Sequence, residues 1–344
     1  MPASQPSSPS RSSSFDPEYT PGARNAVRVC LCISPREKVT IITDRETQEI
    51  ARSIASEVAE VGAQHHVWTL EDEAERPLRH MPQPVLDDLE TSQVSVFAAQ
   101  AQTGELTSRM EMTAVVNRRR IRHAHMVNIK RQIMLEGMRA DFGKVDELSR
   151  RVWEMAGRAQ HVRAETPAGT RIQADLTSKY KWIKTSGIIS PEKWGNLPGG
   201  EVFTTPAEVN GTFVVDGVVG DYLCGKYGKL DSEPLSIRVE GNRVKEIHSD
   251  NHKLEDEFWT YTHTDENSDR VGEFAIGTNI ELKHVIGHIL QDEKLPGVHI
   301  AFGNPYGEHT GAEWYSGTHI DVVGTRFSIW LDDKQIMQEG KFLI

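Results

Sequence analysis

Cysteine is scarce in this chain of 344 residues: only Cys30, Cys32 and Cys224 carry thiols. They make neither a C-x-x-C motif nor an even disulfide framework, so reduced and mostly buried thiols in a cytoplasmic setting are expected. Positive charge is also short. Lys and Arg number 39 against 50 Asp and Glu, for a formal net charge of -11. Affinity for a phosphate backbone rests on clustered positive charge, so no nucleic-acid partner is expected. Long apolar runs are missing too. Nowhere do about eighteen apolar residues follow one another, which argues against a membrane-spanning helix and a membrane partner. The Ser/Pro-rich opening, MPASQPSSPSRSSSF, has no apolar stretch of the kind a secretory signal needs. It reads as a disordered tail, taken here as residues 1–20.

What is present begins with alternation. Residues 23–33 read as a short helix, and KVTIITD at 38–44 is a β-branched run of the kind that fills a buried parallel strand. Residues 46–61 carry an apolar stripe of helical period that stops at Gly62. Strands are expected at 65–70, 94–99 and 124–129, with a helix at 106–119 and one long helix at 130–157. Strands separated by helices imply a mostly parallel sheet flanked by helices, an α/β domain over 21–162. From Arg163 the style changes to short strand-like segments punctuated by Gly, Asn and Pro, with a turn at Glu240-Gly241-Asn242. A β-rich α+β domain over 163–344 is expected.

The stretch GVHIAFGNPYGEHTGAEWYSGTHID, residues 297–321, concentrates polar groups of metal-binding type. His319 and Asp321 flank Ile320, and on a strand residues i and i+2 share a face. Imidazole with carboxylate suits zinc, cobalt, manganese or ferrous iron, so this stretch reads as half of a metal site. Two further carboxylates, Glu201 in NLPGGEVFTTP and Glu273 in VGEFAIGTN, each follow glycine at the start of an apolar run. Either reads equally as a ligand or as a solvated sheet-edge residue. The remaining candidates are read as structural: His309 and Glu313 as solvated, His284 and His288 as packing or surface residues, the run NRRRIRH at 117–123 as a solvated or ion-pairing patch, and Trp182, Trp194, Trp259 and Trp314 as core or interface anchors.

Three blocks, NLPGGEVFTTPAEVNGTFVVDG, VGEFAIGTN, and GVHIAFGNPYG with GTHIDVV, give the chain a resemblance to the aminopeptidase T and aminopeptidase S family of dinuclear metallo-aminopeptidases. The resemblance implies two divalent metal ions, zinc or cobalt with manganese or iron as options, held in chain order by Glu201, Glu273, His299, Tyr306, His319 and Asp321. It implies catalytic importance for Glu201 and Glu273, a peptide or small aminoacyl amide as substrate, and a homodimer. Two cations about 3.5–4 Å apart need several anionic ligands, and such a set supplies them. A related ferrous ring-cleaving dioxygenase of dihydroxypyridines keeps the His-x-Asp pair and stands as the alternative. A non-enzymatic assembly protein is the third reading, disfavoured by the complete ligand set.

Overall fold

The computed structural model describes residues 15–191 and 194–344. Of the expected tail, residues 1–14 lie outside the described residues. Asp16 caps a 3-10 turn, Pro17–Tyr19, and Tyr19 is buried, so the end of the expected tail is folded.

The first sheet has five strands, in the order Gln64–Thr69, Lys38–Thr43, Val94–Ala98, Arg122–His125 and Gly195–Asn196, all parallel. Lys38–Thr43 is buried along almost its whole length because helices cover both faces. The helix Gln48–Val61 closes on Gly62, which takes the left-handed conformation (φ 85) that spares a Cβ clash. In doubly wound sheets a ligand crevice opens where strand order reverses, here beyond Thr43 and Ala98. This chain fills that crevice itself. The Arg76 guanidinium, nearly sealed from solvent, binds Asp44 at 2.9 Å and Glu105 at 2.5 Å, and donates to the Gln100 carbonyl.

The long helix expected over 130–157 is broken. Helical turns at Arg131–Leu135 and Gly137–Arg139 precede a separate helix, Phe142–Ala156. Gly137 presses against Gln291 and Pro198 so closely that a Cβ would lie 2.6 Å from Gln291 Oε1, and its N–H donates to that oxygen. Asp141 then starts the new helix by accepting the Lys144 N–H. Tertiary docking overrides the helical apolar pattern here.

The β-rich part contains two antiparallel sheets. Eight strands, among them His161–Glu165, form one; its hairpin Leu235–Glu240 to Arg243–His248 turns through Gly241 and Asn242, both at positive φ, as expected. The other has five strands, in the order His319–Val323, Gly297–Gly303, Val271–Gly277, Glu201–Thr204 and Ile183–Thr185. The two sheets share a core holding Phe213, Phe258, Phe274, Phe302 and Phe327. The partition is not clean along the chain. His161–Glu165 straddles the expected boundary at 162, and Gly195–Asn196 returns to the edge of the parallel sheet while Ile189 and Leu197 enter the first domain's core.

Candidate metal centre

The five-stranded antiparallel sheet has two faces of opposite chemistry. In an antiparallel ladder, directly opposed residues project to the same side. Asp321 pairs with Ala301 and His319 with Gly303; Glu273 also pairs with Ala301, His299 with Ala275, Glu201 with Gly277, and Thr185 with Glu201. One face therefore carries Glu201, Glu273, His299, His319 and Asp321, interleaved with Ala275, Gly277, Ala301 and Gly303, which leave room between them. The opposite face carries Val202, Phe274, Ile276, Val298, Ile300, Phe302, Ile320 and Val322, all in the core. Burying the apolar face fixes the register, and the register assembles the polar face.

Glu201 is delivered by a turn that only glycine allows. Gly199 lies against the backbone of Ser186 and Gly187, where a Cβ would come within 2.2 Å, and Gly200 at φ 130 abuts Asn279. The Glu201 Oε1 accepts from Thr185 Oγ1 at 2.8 Å and from Lys294 Nζ at 2.7 Å. Its Oε2 is buried without a hydrogen bond and faces His299 Nε2 at 3.4 Å. The same Nε2 lies 3.3 Å from Glu273 Oε1, and His299 Nδ1 is likewise buried and unpartnered. His319 donates from Nδ1 to the Asn304 carbonyl at 2.9 Å, which fixes the tautomer and leaves Nε2 facing Asp321 at 3.4 Å and Glu273 at 4.0 Å. Two ligands of one tetrahedral zinc, each bonded at about 2.0–2.1 Å, stand about 3.4 Å apart. The observed separations match that edge better than they match strong hydrogen bonds.

Three groups of ligand atoms gather within 4.8 Å: Glu201, Glu273 and His299; Glu273, His319 and Asp321; and Glu293, His299 and Asp321. Five of the six residues named from the sequence thus converge. Tyr306 is adjacent: it adopts the left-handed conformation at φ 48, its ring packs tilted at 48° with its centroid 4.5 Å from that of His319, and among the described residues its hydroxyl makes no hydrogen bond. The sequence reading missed Glu293 and Lys294. Lys294 is 1% exposed and bridges Glu201 and Glu293, the latter at 2.5 Å. Both sit in the segment QDEKLPG, where adjacent opposite charges look like an ordinary solvated loop.

Charge explains the electrostatics. Four carboxylates, Glu201, Glu273, Glu293 and Asp321, crowd around one ammonium, Lys294, and two imidazoles. Burial opposes charge on His299, but the Glu273 and Glu201 carboxylates outweigh it and push the ring up to about 9. Burial is likewise outweighed at His319, which Asp321 and Glu273 push up to about 10. Against its burial, Asp321 is held down at about 2 by His319. Burial drives Glu293 the other way, up to about 8, in spite of Lys294. A cluster of four carboxylates and two imidazoles, with the Glu201 Oε2 buried and unpartnered, fits divalent cations.

The centre opens into a cleft of about 850 Å³ whose far wall is the helix Leu106–Arg119 and the end of the parallel sheet, with His125 and Trp194. Arg109, Asp221, Tyr306, His309, Glu313 and Trp314 also line it. His309 and Glu313 stay outside the ligand groups; Glu313 pairs with Lys179 at 3.3 Å and His309 approaches Glu308 at 3.4 Å. His284 and His288 do not share a helix: His284 is exposed near Glu136, and His288 caps the short turn Ile289–Asp292. In the basic run, Arg118 and Arg119 pair with Glu90 and Arg122 pairs with Glu37. Trp194 packs against His125, and Trp314 lies under the Arg270 guanidinium at 4.3 Å.

Solved structures share the fold. The 2,5-dihydroxypyridine dioxygenase from Pseudomonas putida KT2440 matches with a TM-score of 0.69 and 14% identity, covering 94% of this chain and 96% of that one. Wild-type AmpT from Thermus thermophilus matches with a TM-score of 0.69 and 16% identity, covering 95% and 99%. At such identities the likeness is one of fold. No curated protein matches the chain. Residues 143–339, more than half the chain and the whole of the ligand-bearing sheet, match the family described as thermophilic metalloprotease (M29). The family resemblance read from three motifs thus agrees with the family match: the chain belongs to the M29 metalloproteases.

Proposed function

We propose that this metalloprotease is an aminopeptidase, releasing N-terminal residues from peptides or small aminoacyl amides. Glu201, Glu273, His299, Tyr306, His319 and Asp321 are the proposed holders of two divalent ions, zinc or cobalt, with manganese or iron as further options. The observation that supports this reading is the grouping of the ligand atoms: Glu201, Glu273 and His299 form one buried set and Glu273, His319 and Asp321 another, so that Glu273 alone is common to two neighbouring cation positions. Bound there, such ions would lower the pKa of a water and polarise the scissile carbonyl.

The chain's own residues supply the rest. Lys294 and Thr185 hold Glu201 through Oε1 and aim Oε2 into the cluster. That anchoring, and a carboxyl held low by Lys294 and His299 against its burial, suit Glu201 to holding a cation better than to moving a proton. Glu293 fits the proton-moving role by position, since it lies beside His299 and Asp321, is held by Lys294, and stands outside the six proposed holders. The Asn304 carbonyl keeps the His319 tautomer. Asp221 adds negative charge to the cleft where an α-ammonium would sit.

A cytoplasmic setting is supported by three free cysteines, two of them buried. The homodimer follows from the resemblance and is checked by light scattering. The test of the activity is to strip the protein with a chelator and reload it with zinc or cobalt, reading metal content and hydrolysis of aminoacyl amides. About two ions per chain and restored hydrolysis are expected. Metal bound without hydrolysis across a broad panel sinks the aminopeptidase. One iron per chain with oxygen uptake on a dihydroxylated ring would replace it with the dioxygenase.

A further inference from the structure

Opposite the metal centre, the cleft wall holds an arginine with nothing to bind. Leu106, Arg109, Met110, Thr113 and Asn117 recur at helical spacing along one face of Leu106–Arg119 and line the cleft. Arg109 is partly buried, its Nε is closed off from solvent, and among the described residues its guanidinium makes no hydrogen bond or ion pair. The carboxylate nearest in sequence, Glu105, is saturated: it accepts from Arg76 Nε and Nη2 and from the N–H groups of Leu78 and Gln102. Glu313 and Glu308 are engaged by Lys179 and His309. Asp221 shares the cleft with Arg109 without coming within ion-pair distance of it.

An unpaired, partly desolvated guanidinium is a cost to folding, and the cost is greater near a helix N-terminus, where the dipole opposes positive charge. Arginine stays charged throughout the accessible pH range and presents a fork matched to a carboxylate. Arg109 interacts electrostatically with Asp221, with Glu105 and with Tyr306, and Asp221 in turn with Asp321, and the cleft that Arg109 lines also contains the metal cluster. Its volume of about 850 Å³ suits a compact ligand.

We propose that Arg109 is a specificity residue that binds the free C-terminal carboxylate of a short substrate, so that the preferred substrates are dipeptides or similarly small aminoacyl acids. The proposal rests on the aminopeptidase reading above. A dipeptide would place its ammonium and scissile carbonyl at the cluster beside Asp221 and Asp321, with its carboxylate in the guanidinium fork. Leu106, Met110 and Trp194 flank that end with apolar surface for the second side chain.

The test compares acid with amide. Binding of the uncleavable reduced-bond analogue of Leu-Gly and of its C-terminal amide is measured by calorimetry on zinc-loaded protein, alongside kcat and KM for Leu-Gly and Leu-Gly amide. The free acid is expected to bind about 10-fold or more tightly, and the difference to appear in KM rather than kcat. In Arg109→Gln the acid-to-amide ratio should collapse toward one, while Arg109→Lys should keep an intermediate ratio. Equal binding of acid and amide to the wild-type protein overturns the proposal without any variant, as does a ratio that survives Arg109→Gln. Tight, Arg109-dependent binding of the acid with no hydrolysis sinks the aminopeptidase and leaves the carboxylate site standing. Equal hydrolysis of both substrates does the reverse.

Discussion

Replacing Lys294 with methionine probes the charge balance of the metal centre directly. The ammonium is 1% exposed and bridges Glu201 Oε1 at 2.7 Å and Glu293 Oε1 at 2.5 Å. Methionine keeps the unbranched stem as far as Cε and removes the charged Nζ. Deleting one partner of a buried ion pair costs about 3–5 kcal/mol, because the other partner stays desolvated. Two carboxylates lose their partner here, but burial already pushes Glu293 up to about 8, so it can shed its charge by taking a proton. The main cost falls on Glu201, and about 3 kcal/mol is expected. At about 2 °C per kcal/mol for a chain of this size, the chelator-treated variant should melt about 6 °C below wild type. Saturating zinc compensates the same carboxylates, so the gap should shrink by half or more. Linkage then requires the variant to bind metal more tightly, about tenfold for each 1.4 kcal/mol by which the gap narrows. The assay is thermal unfolding of both proteins with chelator and with saturating zinc. Equal losses in both conditions, or a loss below about 1 kcal/mol with chelator, would refute the claim that Lys294 offsets charge a cation otherwise balances.

Other consequences follow from the same geometry. His319→Ala removes the one imidazole whose tautomer is locked by Asn304; metal affinity should fall by more than the roughly 10–100-fold typical of losing a supporting contact, read by elemental analysis after dialysis. Loading chelator-treated protein with zinc at pH 7.5 should release about two protons per chain, because His299 and His319, pushed up to about 9 and about 10, must deprotonate to ligate; calorimetry in buffers of different ionisation heat measures the number, which should decline as pH passes 9 to 10. In the parallel sheet, behind His125, burial pushes His123 down to about 3. A depressed histidine contributes stability that is present above its unfolded pKa near 6.5 and lost as pH falls below it toward the folded value. Between pH 7 and 5.5 this amounts to about 1 kcal/mol, so urea titrations should show His123→Asn losing about 1 kcal/mol less over that interval than wild type. An unchanged difference would show that His123 takes up its proton in the folded state.

How much of this was legible in the chain depends on where each residue sits. The ligands on strands were readable because a strand leaves a local trace: His319 and Asp321 are two apart around Ile320, and that alternation survives as one polar and one apolar face of the sheet. The turn before Glu201 was readable for a similar reason, since the Gly-Gly pair permits the approach to Gly187 and Asn279. The parallel sheet followed from alternating strands and helices, although not its last strand, Gly195–Asn196, which is too short for its pattern to mark. The single helix expected over 130–157 failed because apolar period cannot register the docking of Gly137 on Gln291, a contact across 154 positions. Glu293, Lys294 and Arg109 left no trace for the same reason. Each is an ordinary charged residue by its neighbours in sequence, and each acquires its character from elements distant in the chain: Lys294 from Glu201, Arg109 from what surrounds it in the cleft and from the exhaustion of Glu105 by Arg76. Sealing the reversal point of the parallel sheet with Arg76 thus serves two ends. It closes the site where such sheets usually bind ligands, and it occupies the carboxylate that would otherwise neutralise Arg109, so the first domain presents positive charge to a cleft whose chemistry lies on the other wall.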